Sequence, residues 1–302
     1  MNFQRYLSAK RTVDERALNP RVERRLADEI EERSGDGSGT RDPLHVLEVG
    51  AGIGATVERL LARPWLPDRV AYTALDLLSA NVAAARQRLP ERAAELGYAV
   101  RTDGDRLVAS RGKRRIEIEF LTADAFEFLA ETDDRWDLLI AHAFVDLVDS
   151  SAALRAFRGA LAPEGVAYCP ITFDGGTYFE PARDPEFEDH LVERFHRHID
   201  ESGDSRAGRH LLSVARKVGE GDAEGGVLAA GGSDWLVRPR DGDYPADEAY
   251  FLHYIVDAIS GAVRDDPEVA DRRLSEWVNR RRHQIDETEL TYCAHQLDLL
   301  VR

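Results

Sequence analysis

The chain has 302 residues, 43% of them hydrophobic, which suits one large α/β domain with additions and argues against disorder. Its formal charge of −16 repels polyphosphate, so nucleic acid and anionic membranes are excluded as expected partners. No apolar run approaches the roughly 20 residues of a membrane helix, and the N-terminal stretch MNFQRYLSAKRTVDER has no secretory apolar core. Two cysteines, Cys169 and Cys293, make neither a disulfide framework nor a thiolate metal site. The expectation is a cytoplasmic protein with two buried, reduced thiols.

In chain order, residues 13–33 place Leu18, Val22, Leu26 and Ile30 on one helical face. Gly35, Gly37 and Gly39 then make a flexible break, so 1–34 reads as an N-terminal helical segment before a domain over 40–302. Residues 45–49 (HVLEV) read as a buried strand and 56–62 as a helix ended by Pro64. A second strand at 70–75 (VAYTAL) ends at Asp76, and Ser79 is the expected cap of a helix to about residue 89. Alternation at 98–102, 106–110 and 115–121, with the turns DGD and RGKR, predicts a hairpin leading into the third core strand. A short helix at 125–130, a strand at 136–141, a helix at 150–161 and a strand at 166–173 follow. This strand–helix alternation predicts a doubly wound parallel sheet with helices on both faces. Beyond it come helices at 186–200 and 209–218, a strand within 227–237, helices at about 246–263 and 268–284, and a strand at 290–301.

The first strand runs into Glu48-Val49-Gly50-Ala51-Gly52-Ile53-Gly54. Glycines between a strand and a helix let the backbone turn sharply and approach a ligand without a Cβ in the way. Two ligands suit such a loop. Gly50, Gly52 and Ala55 satisfy the dinucleotide pattern G-x-G-x-x-G/A, while Glu48, Gly50, Gly52 and Gly54 satisfy E/D-x-G-x-G-x-G. Glu48 discriminates, because a carboxylate beside the loop suits a cationic amino group and repels a pyrophosphate. Asp76, about 20 residues on, can accept hydrogen bonds from ribose hydroxyls, which both ligands carry; it can equally be a helix-initiating aspartate.

The segments VLEVGAGIG, ALD, TADAF, WDLLIAHAFVDL and LAPEGVAYCPITF resemble, in order and spacing, the successive motifs of class I S-adenosylmethionine-dependent methyltransferases. The resemblance covers residues 43–175. It implies a Rossmann-like seven-stranded sheet whose C-terminal strand pair, GGSDWLV with LTYCAHQLDLLV, inserts an antiparallel strand. It implies S-adenosylmethionine as cofactor, with Glu48, Gly50, Ala51, Gly52 and Gly54 at the methionine end. Asp76, with Leu77 beside it, falls at the ribose and Asp124 with Ala125 at the adenine, and His142 falls beside the sulfonium. The sequence departs from one subgroup, since AHAF stands where Asn/Asp-Pro-Pro-Tyr/Phe would follow the fourth strand. That counts against methylation of an adenine or glutamine amino group.

Methyl transfer from a sulfonium mainly requires alignment, and sometimes removal of a proton. His142, at the carboxyl end of a core strand, is the candidate general base, with Asp146 one helical turn on to orient it. Asp174, Tyr178 and Glu180 lie in a glycine-containing segment expected to be a loop over the substrate. No metal site is expected: His196 and His198 diverge by about 200° on a helix. Trp235 reads as a core or interface aromatic. The basic N-terminal segment with Tyr6, Lys10, Arg11 and Arg16 is expected either to fold over the cofactor cleft or to form a solvated first turn. Together these features predict methyl transfer to a small-molecule acceptor, releasing S-adenosylhomocysteine. A helical insertion at about 174–226 and the helices at 246–284 would shape the acceptor pocket, and a homodimer is left open. Two alternatives stand beside this reading: a non-catalytic S-adenosylmethionine-binding module, and an NAD(P)-dependent oxidoreductase, which would need a parallel sixth strand.

Overall fold

A computed structural model describes residues 2–34, 42–219 and 226–302; the glycine break at 35–39 and part of the expected insertion, 220–225, fall outside the described residues. Helices α1 (Phe3–Ala17) and α2 (Pro20–Ser34) precede β1 (Leu44–Val49), α3 (Ala55–Leu61), β2 (Arg69–Asp76) and α4 (Ser79–Glu95). The hairpin β3 (Ala99–Asp103) and β4 (Arg106–Arg111) leads into β5 (Arg114–Thr122), α5 (Ala125–Glu131) and β6 (Trp136–Ile140). A 3₁₀ turn (Val145–Leu147), α6 (Ser150–Ala160) and the long β7 (Leu161–Glu180) follow. The remainder is α7 (Pro185–Ile199), α8 (Ala207–Gly219), β8 (Val227–Gly232), β9 (Trp235–Val237), α9 (Glu248–Val263), α10 (Asp271–Asp286) and β10 (Thr291–Val301).

The strands make one sheet in the order β3-β4-β5-β2-β1-β6-β7-β10-β8, with β9 also on β10. β5, β2, β1, β6 and β7 run parallel, and β10 inserts antiparallel between β7 and β8. The expected antiparallel insertion is thus present, and the hairpin extends the sheet beyond seven strands at its other edge. Alternate residues of β1 feed opposite cores: Val46 packs with α2, α3 and α4, and Leu47 with α5, α6 and α8. That period of two, apolar on both sides, is what a central parallel strand between helix layers requires. A third core lies beyond the sheet, where α1, α7, α9 and α10 cover the far ends of β7 and β10.

Five local expectations need correction. The helix over 13–33 is two helices, because Pro20 disfavours helical backbone at Asn19, whose side chain accepts instead from the amides of Arg21 and Val22. Ser79 does not cap α4; Leu78 holds that position, and its amide donates to Asp76. α4 continues through Pro90 to Glu95, since burial of Leu89 and Ala93 in the core outweighs one lost helical hydrogen bond. Residues 174–180 are not a loop but the end of β7, paired with β10. Gly175 and Gly176 serve the register shift there: φ is +80° at Gly175, and a Cβ on Gly176 would sit 2.8 Å from that of His295. The strand expected within 227–237 is divided into β8 and β9.

Candidate active site

β1 is flanked by β2 on one side and β6 on the other, so the chain winds away in opposite directions from its carboxyl end. Such a switch point opens a crevice above the strand ends. Here it is a cavity of about 440 Å³. The glycine loop forms its floor. The amide of Ala51 donates to Leu75 O (2.9 Å) and that of Gly52 to Asp76 Oδ2 (2.7 Å), tying the loop to the end of β2. Gly50 and Gly54 have φ of +68° and +76°, and a Cβ on either would meet Phe144 at 2.9 Å or Leu89 at 2.5 Å. Only glycine satisfies both the dihedral and the space.

Four carboxylates line the cavity: Glu48, Asp76 and Asp124 near the strand ends and Asp14 on α1. Glu48 is 1% exposed; the hydroxyls of Tyr72 (2.7 Å) and Thr56 donate to it. Burial nevertheless pushes its carboxyl up to about 7, against those hydrogen bonds. Asp76 accepts from Gly52 through one oxygen and from Leu78 N (2.8 Å) and Asn81 Nδ2 (3.0 Å) through the other. Asp124 caps α5, taking the amides of Phe126 (2.8 Å) and Glu127 (3.1 Å) on Oδ1. Gly50, Ala51, Gly52, Ala125 and Leu77 also line the cavity, Leu77 being 63% exposed at its rim. Of the residues expected at the cofactor, only Gly54 acts from behind, through the loop's shape.

The opposite wall is α1, contributing Phe3, Leu7, Lys10 and Asp14. The N-terminal segment is therefore no solvated turn. Tyr6 stacks on Tyr254 with ring centroids 4.0 Å apart, Arg16 pairs with Glu248, and Arg11 with Glu58, fixing α1 between α9 and α3. Asp14 is buried and receives Lys10 Nζ (2.9 Å), Trp235 Nε1 (2.9 Å) and a ring nitrogen of His142. Burial opposes its ionisation, but Lys10 and His142 outweigh that and hold the carboxyl well below the usual range.

His142 Nε2 lies 3.0 Å from Asp14 Oδ2, and the side chain is 9% exposed. Burial lowers its pKa to about 4, with Asp14 opposing. Its Nδ1 has no hydrogen-bond partner among the described residues. The next residue, Ala143, is held at φ +48° by its amide on Pro170 O (3.0 Å), a strained backbone of the kind found at functional sites. The carboxylate on His142 is thus Asp14, not the expected Asp146. Asp146 Oδ1 is buried without a hydrogen-bond partner among the described residues, and burial raises that carboxyl to about 6.

The expected substrate residues do not line this cavity. Asp174 is buried against Arg209, accepting its Nε at 2.9 Å and Nη2 at 3.0 Å. Tyr178 is exposed and shares a hydrogen bond with Cys293, and Glu180 accepts the amide of Ala182 (2.8 Å). Trp235 is a core aromatic, as expected, and additionally a hydrogen-bond donor to Asp14. Asp14 itself was not singled out in the sequence. Its signal is faint: Leu7, Lys10 and Asp14 share one face of α1, placing a charged pair where an apolar stripe would continue. Among the described residues no group of three or more His, Cys, Asp and Glu is arranged to hold a metal ion, and no helix is long and apolar enough to cross a membrane.

No protein-family model matches the chain, and no curated protein matches it. Solved structures similar to it include a SAM-dependent methyltransferase from Thiobacillus denitrificans in complex with S-adenosyl-L-homocysteine. That structure is 14% identical at a TM-score of 0.45, over 95% of this chain and 92% of that one. A second, from Geobacter sulfurreducens and also in complex with S-adenosyl-L-homocysteine, is 14% identical at a TM-score of 0.43, over 95% and 92%. The cyclopropane synthase MmaA2 from Mycobacterium tuberculosis is 13% identical at a TM-score of 0.40, over 90% and 83%.

Proposed function

We propose that the chain is an S-adenosylmethionine-dependent methyltransferase acting on a small-molecule acceptor. The observation that carries this reading is the cavity itself, which joins the glycine loop, Glu48, Asp76 and Asp124 in one continuous wall. The residues present suit S-adenosylmethionine: a turn at Gly50 that only glycine fits beside Phe144, and the carboxylates of Glu48, Asp76 and Asp124 available to its polar parts. When bound, that molecule supplies a methyl group already activated on a sulfonium. Glu48 and the loop from Gly50 to Gly54 would hold its amino-acid end, Asp76 with Leu77 its ribose, and Asp124 with Ala125 its adenine. Leu7 and Phe3 of α1 would exclude water from the opposite side.

The dinucleotide alternative loses support on two counts. The strand beside β7 is the antiparallel β10, where that reading needs a parallel one. A buried carboxylate at the loop is also poorly suited to pyrophosphate. A non-catalytic binding module is the second reading. Thermal unfolding with S-adenosylmethionine, S-adenosylhomocysteine, adenosine and NAD(H) tests the assignment. A ligand at about 100 times its Kd stabilises by about 2.7 kcal/mol, so the first two should raise Tm by several degrees. A shift with NAD(H) alone would reverse the assignment.

A further inference from the structure

The face that α1 turns to the cavity is a single stripe, Phe3, Leu7, Lys10 and Asp14, set at the three- and four-residue steps of one helical side. It runs from Phe3 at the exposed mouth to Lys10 and Asp14, both buried. Leu7 lies over the glycine loop, since a Cβ on Gly52 would sit 3.4 Å from its Cδ1. Beyond it Asp14 meets His142 at the end of β6, across β1 from the strands β2 and β5 that lead to Asp76 and Asp124. The inner end of the stripe therefore covers the amino-acid side of the cavity, away from the ribose and adenine carboxylates.

Lys10 Nζ donates to Asp14 Oδ2 (2.9 Å) and lies 5.2 Å from the centroid of the Trp235 ring. Because Asp14 is the next residue of the same stripe, this bond lays the ammonium along the cavity wall. An ammonium has three hydrogens to donate, and Asp14 is its one hydrogen-bond partner among the described residues. Asp14 does not depend on Lys10 alone, since Trp235 Nε1 and His142 Nε2 also reach it. A buried cation with donors to spare, on the wall of a cavity, calls for an acceptor from the ligand.

The rest of the wall offers an anion little. The loop amides of Ala51, Gly52 and Gly54 are committed to Leu75 O, Asp76 Oδ2 and Ala51 O. Thr56 and Asn81 donate to Glu48 and Asp76. Among the described residues Lys10 is the one lysine or arginine lining the cavity, against four carboxylates. We infer that Lys10 is a specificity-determining residue that takes the α-carboxylate of the methyl donor, while Glu48 takes its ammonium. This rests on the cavity being the methyl-donor site. The amino-acid end of that molecule is a zwitterion, and its two partners stand on different elements, Glu48 in β1 and Lys10 on α1. Charge complementarity of this kind selects a ligand that carries both charges. An adenosine without the carboxylate leaves Lys10 unanswered.

The test compares two ligands on the full-length protein by calorimetric titration: S-adenosylhomocysteine and its decarboxylated form, which keeps the adenosine, the sulfur and the amine. The wild type should bind the first at least about tenfold tighter, the effect of one hydrogen bond between charged groups. Lys10→Met should bring the two affinities to within about twofold of each other, because it weakens only the ligand that has a carboxylate. A variant that merely loosens α1 weakens both ligands alike and keeps their ratio, which overturns the inference. A wild type that binds the two equally also overturns it, without any variant having to fold. Lys10→Gln, which keeps a donor for Asp14 and removes the charge, is the second variant and should likewise lower the ratio; an unchanged ratio there counts against Lys10. No binding of either ligand by the wild type sinks the methyl-donor reading itself. Binding of both without preference sinks only the role of Lys10.

Discussion

Replacing Glu48 by Gln keeps the shape of a fully buried side chain and removes its charge. The carboxyl, ordinarily near 4.5, is pushed up to about 7 because burial outweighs the hydrogen bonds from Thr56 and Tyr72. At about 1.4 kcal/mol per pH unit, holding it ionised in the native protein costs on the order of 3 kcal/mol. The sign follows from proton uptake. Below pH 4.5 folded and unfolded chains both carry the proton, and no stability is lost. Between 4.5 and 7 the unfolded chain ionises first, so wild-type stability falls as pH rises; above 7 the loss is complete. Glutamine has no such slope, and the other titrating groups are common to both proteins. Urea denaturation without ligand at pH 5 and pH 8 should therefore show Glu48→Gln gaining about 2–3 kcal/mol relative to wild type between the two. A difference that does not change with pH would refute the reasoning.

The same carboxyl predicts proton-linked binding. A cationic amino group favours the ionised form, so S-adenosylmethionine affinity should rise between pH 6 and 8 with proton release, measured as calorimetric heats that depend on the buffer's ionisation enthalpy. Asp76→Ala removes the acceptor for Gly52, Leu78 and Asn81 as well as for a ribose. Hydrogen bonds to charged groups contribute about 1.5–3 kcal/mol each, so S-adenosylhomocysteine binding should weaken by at least tenfold in a direct titration. Gly54→Ala forces a Cβ at φ +76° to within 2.5 Å of Leu89 and should destabilise by about 1–3 kcal/mol in chemical denaturation. Leu77→Ala, at an exposed rim position, should leave Tm unchanged while lowering affinity by severalfold.

The sheet and the glycine-loop wall of the cavity were legible because their signals are local. A strand, a glycine loop and a helix are contiguous in 45–61; Asp76 ends a strand, and Asp124 sits two residues past one, whose apolar runs are plain. The α1 wall was not legible, because Asp14 and His142 are 128 residues apart and meet only when α1 packs across the strand ends. Proximity in sequence favoured Asp146 as the partner instead, yet Asp146 lies in the 3₁₀ turn and its Oδ1 has no hydrogen-bond partner among the described residues. The glycines at 175 and 176 were read as a loop because a bulge and a loop demand the same backbone freedom; pairing with β10, more than 100 residues on, decides between them. The substrate roles expected of Asp174, Tyr178 and Glu180 depended on that loop, and the strand carries them away from the cavity.

Calorimetric titration of the purified protein with S-adenosylmethionine, S-adenosylhomocysteine and NAD(H) tests the central claim most directly. The account predicts micromolar binding of the first two at one site per chain and no heat with NAD(H). Binding of NAD(H) with neither of the others would contradict it and return the glycine loop to a dinucleotide.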